Sequence, residues 1–171
     1  MDNHFALFQM PVGFDIDIEQ LDAAFRELQG RVHPDRFVSA SDAEKRVAMQ
    51  WATRANEAYQ TLKNPLKRAA YLCELNGVDL GVESNTAMPP AFLMQQMEWR
   101  EALDEARDAR DVGALETLER ELAGVRRERL TQISDLFGSG HYEAAGAQVR
   151  QLMFLEKFGE DVGRVFESIE A

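Results

Sequence analysis

Only one cysteine, Cys73, stands in the 171 residues, so no disulfide can close within the chain. A reducing compartment fits that scarcity, and the cytoplasm is the expected location. Histidine is nearly as scarce: His4, His33 and His141 are scattered, and with a lone thiol they make no zinc or iron–sulfur spacing. No metal and no resident cofactor are therefore expected. No apolar run approaches the ~18 residues that cross a bilayer, and Met1-Asp2-Asn3-His4 lacks the positive stretch of an export signal, so no membrane partner is expected. Neither of the glycine-rich loops that cradle phosphates, GxxxxGKS/T or GxGxxG, occurs. Positive charge is also short, at 19 Lys plus Arg against 30 Asp plus Glu, a formal net charge of −11. Such a chain is repelled by phosphate backbones, which argues against nucleic acid.

What is present reads as one helix after another. Apolar residues recur at three- and four-residue steps, and no alternating β-branched run interrupts them, so the fold class is all-α. After a short turn around Phe5, Leu7 and Phe8, Asp17 looks like a cap, and Leu21, Ala24, Phe25, Leu28 and Val32 share one face up to Pro34. Ser41 and Glu44 form a capping box ahead of Val47, Trp51, Ala55, Ala58 and Leu62. Asn64-Pro65 opens a further helix with Leu66, Ala69, Ala70 and Cys73 facing inward, and Gly77 is its stop. Residues 1–77 thus make an antiparallel helix pair with short flanking helices. Residues 78–90 have no period and end in Pro89-Pro90, which suits a linker, and residues 91–171 read as a three-helix bundle. Leu115, Leu118, Leu122, Val125 and Ile133 fall on its second helix, and Val149, Leu152, Leu155 and Val162 on its third. Residues 1–78 carry net charge −2 and residues 79–171 carry −9, so the two parts should meet different partners.

His33-Pro34-Asp35 falls in the loop between the two longest helices of the first part. Proline pushes His33 out of the helical region and stiffens the loop, so an imidazole and a carboxylate are presented together at a fixed turn. Alone, the tripeptide is also a good helix terminator. With its surroundings, namely Phe5, Leu7 and Phe8, Arg36-Phe37, the segment Asn56 to Leu62 and Asn64-Pro65-Leu66-Lys67-Arg68-Ala69, the chain resembles the J-domain of co-chaperones. The resemblance implies that His33, Pro34 and Asp35 make an ATPase chaperone hydrolyse its bound ATP, and that Arg26, Arg31 and Arg36 supply the positive docking face. Gly30 departs from a good docking helix at a cost of about 1 kcal/mol relative to Ala.

In the run after Pro90, Phe92, Trp99, Leu103 and Ala106 project within ~40° of one line and account for a core stripe. Leu93, Met94 and Met97 form a second apolar face, bordered by Glu98 and Glu101. One helix of a three-helix bundle should not need both. One reading has Leu93 and Met94 cover the boundary between the two parts; the other makes the face a protein-binding surface, for which adaptable methionines rimmed by charge are suited. The run Phe92 to Glu101, together with Phe154-Leu155-Glu156-Lys157, is similar to the C-terminal part of HscB-type co-chaperones of iron–sulfur cluster assembly. That similarity implies that Leu93, Met94, Met97, Glu98, Glu101 and Phe154 contact an IscU-type scaffold and deliver it to an HscA-type ATPase chaperone. The cysteine-rich zinc segment of some eukaryotic relatives is absent, which favours a bacterial-type chain. Two other classes compete. An acid–base enzyme built on His33 and Asp35 lacks a nucleophile, a metal and a pocket-forming loop, so the chain is not expected to be an enzyme. A general J-protein whose second part binds unfolded polypeptides is the alternative.

Overall fold

A computed structural model describes residues 3–81 and 88–170. Within them the chain is all-α, with no strand among the described residues. It divides into two compact units, residues 1–72 and 73–171. Of the 78–90 segment expected as a linker, residues 82–87 lie outside the described residues.

The first unit opens with α1 (His4–Leu7), whose free N–H groups are met by Asn3: its Oδ1 accepts from the Ala6 amide at 2.8 Å. α2 (Ile18–Val32) starts as its sequence demands, Asp17 Oδ1 accepting from the Glu19 and Gln20 amides at 3.0 and 3.2 Å. It ends at Val32 because Pro34 follows, and Pro34–Phe37 form a single 3-10 turn. In the capping box that opens α3 (Asp42–Lys63), Ser41 Oγ accepts from the Glu44 amide at 3.2 Å and donates to its carboxylate at 3.1 Å. α4 (Pro65–Leu75) follows Asn64, whose Oδ1 accepts from the Lys67 amide at 3.0 Å.

α2 and α3 pack as a hairpin clipped at the end away from the 3-10 turn. Tyr59 stacks on Phe25 with ring centres 4.0 Å apart. Its hydroxyl donates to Asp22 at 2.7 Å, and the Lys63 ammonium reaches the same carboxylate at 3.0 Å. The Tyr59 hydroxyl and then Lys63 hold the Asp22 carboxyl below its usual range. Below the clip, Arg68 is buried. Its Nε donates to the Phe14 carbonyl at 2.7 Å and its Nη1 to the Leu62 carbonyl at 2.6 Å, while its guanidinium lies over the Phe14 ring. One side chain thereby satisfies an orphan carbonyl at the end of α3 and fastens the loop before α2.

The other end of the hairpin departs from the expected core. Ala48, Ala55, Ala58 and Leu62 fill the inner line of α3, whereas Val47 is 51% and Trp51 40% exposed. A line of alanines lets the helices approach closely, and that rotation moves the larger side chains to the edges. On α2 only Leu21 is fully covered; Ala24, Phe25, Leu28 and Val32 are half-buried. Large apolar side chains therefore reach the surface on both sides of the loop.

The second unit is a bundle of α5 (Pro90–Ala109), α6 (Val112–Gly138) and α7 (Tyr142–Glu170), each packed against the other two. Leu115, Leu118, Leu122 and Ile133 of α6 are buried, as are Val149, Leu152, Leu155 and Val162 of α7; Val125 is half-buried. Gly140, with φ of 78°, makes the turn between those helices. Val78 is buried and lies on α7, where a Cβ on Gly146 would stand 2.7 Å from Val78 Cγ1.

Two helical glycines should consequently respond oppositely to alanine. Around Gly30 a Cβ meets nothing within 4 Å and the backbone is helical. Gly30→Ala should stabilise the first unit by about 0.5–1 kcal/mol. Gly146→Ala gains the same propensity but forces the Val78 segment off α7, an overpacking cost of about 1–3 kcal/mol. Denaturant titration of the two variants should shift midpoints in opposite directions, and a stabilised Gly146→Ala would show that the Val78 segment yields freely.

Candidate functional site

Two surfaces carry the residues singled out by the sequence, one on each unit. On the first, His33 caps the end of α2 in extended conformation, with φ −61° and ψ 137°. Its Nδ1 accepts from the Asp35 amide at 3.2 Å, and the Arg36 amide donates to the His33 carbonyl at 3.0 Å. Those bonds fix the turn through His33 Nδ1 and backbone groups, and neither uses Nε2 or the Asp35 carboxylate. With Nδ1 an acceptor, a neutral ring carries its proton on Nε2. The Asp35 side chain is 90% exposed, and its carboxylate comes no nearer than 3.6 Å to the imidazole. A donor and an acceptor are thus held side by side at the tip of a clipped hairpin.

Arg26, His33, Pro34, Asp35 and Arg36 line one shallow concavity of about 680 Å³, floored by Gly30 and by Ala52 of α3. Arg31 stands apart from them. It pairs with Glu27 one turn back and lines a separate concavity with Trp51 and Arg54. Of the three arginines expected on this face, two share the groove with the tripeptide and one, Arg31, lies outside it, beside Glu27.

On the second unit α5 has two faces. Phe92, Trp99, Leu103 and Ala106 are buried, as their spacing required. Leu93, Met94 and Met97 are 47%, 62% and 69% exposed. Phe154 of α7, 45% exposed, joins them by resting edge-on against Phe92, ring centres 6.5 Å apart. Arg129 of α6 lies over the Phe92 ring at 5.6 Å and donates to Gln148 and Gln151, so the layer beneath the patch is held by polar groups of two other helices. Glu98 and Glu101 are exposed, and Glu105, one turn further on, extends their line. The sequence reading passed over Glu105, although its four-residue step from Glu101 marks it. The result is an apolar centre with an acidic edge on a rigid helix. It suits a protein partner with an apolar anchor and neighbouring positive charge.

Among the described residues no group of His, Cys, Asp and Glu could hold a metal ion, and no helix is long and apolar enough to cross a membrane. Cys73 is buried, and burial pushes its thiol up to about 11.

Comparison with known proteins places the whole chain among similar ones. Residues 88–163 match the family model described as the HSCB C-terminal oligomerisation domain. The co-chaperone protein HscB homolog of Burkholderia thailandensis is 57% identical over 169 residues, covering 99% of this chain and 97% of that one. Among solved structures, chaperone HscB from Vibrio cholerae superposes with a TM-score of 0.87 at 37% identity, covering 98% of this chain and 99% of that one. Human co-chaperone protein HscB gives 0.92 at 27% identity, covering 100% and 84%. An all-α chain that carries a J-domain tripeptide on one unit and an acidic-edged apolar helix on the other, and that keeps this identity over its whole length, belongs to the HscB family of co-chaperones.

Proposed function

We propose that the chain stimulates ATP hydrolysis by an HscA-type chaperone and brings to it an IscU-type iron–sulfur scaffold. What carries this reading is the pairing, on one chain, of the exposed His33-Pro34-Asp35 turn with the exposed face of Leu93, Met94 and Met97. The turn docks on the ATPase, where Asp35 takes a cationic donor and the imidazole donates from Nε2. Such contacts shift the chaperone toward its hydrolysing state and do no chemistry themselves, so the chain acts as an activator rather than an enzyme. Leu93, Met94, Met97 and Phe154 anchor the scaffold, and Glu98 and Glu101 select a basic border on it. The cluster is cargo of the scaffold. A cytoplasmic setting fits the single buried thiol of Cys73.

Single-turnover ATP hydrolysis by the chaperone tests the reading, with this chain, with the scaffold, and with both. Stimulation by both together should exceed the sum of each alone. Equal help from an unfolded polypeptide would instead make the chain a general J-protein. The charges around the turn supply a second measurement. Arg26→Ala should raise the chain concentration needed for half-maximal stimulation several-fold at low salt and less at high salt, as expected of exposed charges. Arg31→Ala should do less at either, because Arg31 already pairs with Glu27. Equal losses at all salt concentrations would assign both side chains to packing.

A further inference from the structure

Beside the groove of the tripeptide lies a second concavity, of about 450 Å³, whose far wall is formed by Phe37, Val38, Lys45 and Met49. Val32, Pro34 and Ala52 line both hollows, so Pro34 is the ridge between them. Val38 is 72% and Met49 70% exposed, among the most exposed large apolar side chains of the described residues. Neither serves the hairpin core, which runs through Ala48 and Ala55.

We propose that this hollow is the apolar half of the chaperone-docking surface, taking an aliphatic side chain of the ATPase chaperone. The inference rests on the docking role given above to His33 and Asp35, and it adds where the affinity comes from. Two arguments identify the occupant. A partner in an ordinary interface covers about 800 Å² on each side, a patch some tens of ångströms across. A patch of that size centred on His33 and Asp35 covers the hollow that shares Pro34 with them. The second argument is energetic. Exposed ion pairs contribute about 0–1 kcal/mol each, and only Arg26 and Arg36 share the groove with the tripeptide. Apolar anchors seated in a pocket are what such a face needs for affinity. Lys45 at the rim then favours an aliphatic side chain with an acidic neighbour.

The test uses the full chain with Val38→Asn and Met49→Gln together, neutral changes that remove apolar surface without adding charge. Single-turnover hydrolysis by the HscA-type chaperone is measured against chain concentration. The half-maximal concentration should rise about tenfold while the maximal rate stays within about twofold, since the tripeptide is intact. The apolar swap Met49→Leu should keep parental behaviour. The shift should persist at high salt, unlike that of Arg26→Ala. An unchanged half-maximal concentration, with parental stimulation present, overturns the apolar pocket alone. Absence of stimulation by the parent overturns the docking reading and the pocket with it. A large fall in melting temperature of the double variant also overturns the proposal, because the side chains would then belong to the core. So does a parental dimer that the double variant dissociates, because the occupant would be a second copy.

Discussion

Replacing His33 by Gln should abolish most of the stimulation of the chaperone's ATP hydrolysis, about ten- to a hundredfold, while leaving the fold and scaffold binding intact. The size follows from one strong hydrogen bond at a desolvated contact, about 1.5–3 kcal/mol, at about 1.4 kcal/mol per tenfold. Glutamine places an amide near the position of Nε2 but removes the Nδ1 acceptor that holds the Asp35 amide at 3.2 Å, so the turn and its polar tip lose their fixed relation. His33→Asn separates the two effects. Its amide oxygen matches Nδ1 and can keep the turn, yet it offers nothing at Nε2. If the chaperone reads an outward donor held in place by the turn, both variants fail; if only the shape of the turn matters, His33→Asn should stimulate normally. Asp35→Asn, which keeps shape and removes charge, should fail with His33→Gln. The His33 side chain is 58% exposed, so the melting temperature should barely move. Near-normal stimulation by His33→Gln would remove the docking role from this turn.

How much of this was legible beforehand differs between the two units. In the bundle, apolar spacing located the helices and the buried side of α5, because long helices with one wide partner face bury most of that face, Val125 staying half-buried. The first unit was read correctly in its caps and breaks, where the chemistry is local: Asp17, Ser41, Asn64 and Pro34 each act within four residues. It was misread at Val47 and Trp51. Periodicity marks a stripe but cannot say which of two neighbouring lines faces the partner helix, and here small Ala48 outcompetes large Trp51 for the inner position. The buried role of Arg68 was equally invisible, since its acceptors, the Phe14 and Leu62 carbonyls, are 54 and 6 residues away. For the candidate surfaces, the tripeptide and the second face of α5 stood out in the sequence. The pairing of Arg31 with Glu27 follows from their four-residue step, whereas the hollow behind Pro34 needed three dimensions, because it depends on which way α3 is turned against α2.

That second face of α5 supports the other large effect. Replacing Leu93, Met94 and Met97 together by Ala should weaken scaffold binding by several kcal/mol, since truncating apolar anchors at the centre of an interface commonly costs about 1 kcal/mol or more apiece. Stability should respond quite differently. The three side chains are 47%, 62% and 69% exposed in the free chain, and alanine is at least as good a helix former as the residues it replaces. A net change near 1 kcal/mol moves the melting temperature of a chain this size by about 2–4 °C. Phe154 is left out of the triple variant deliberately. It rests on buried Phe92, so Phe154→Ala should lose both affinity and stability and cannot separate them. Without scaffold, the triple variant should stimulate the chaperone as the parent does, because His33, Pro34 and Asp35 are untouched; with scaffold, the added stimulation should vanish. Isothermal calorimetry of scaffold binding and a thermal melt on the same preparation decide the matter. If the melt drops by much more than 4 °C while affinity is kept, Leu93, Met94 and Met97 are packing residues, and the scaffold must be held by some other face of the bundle.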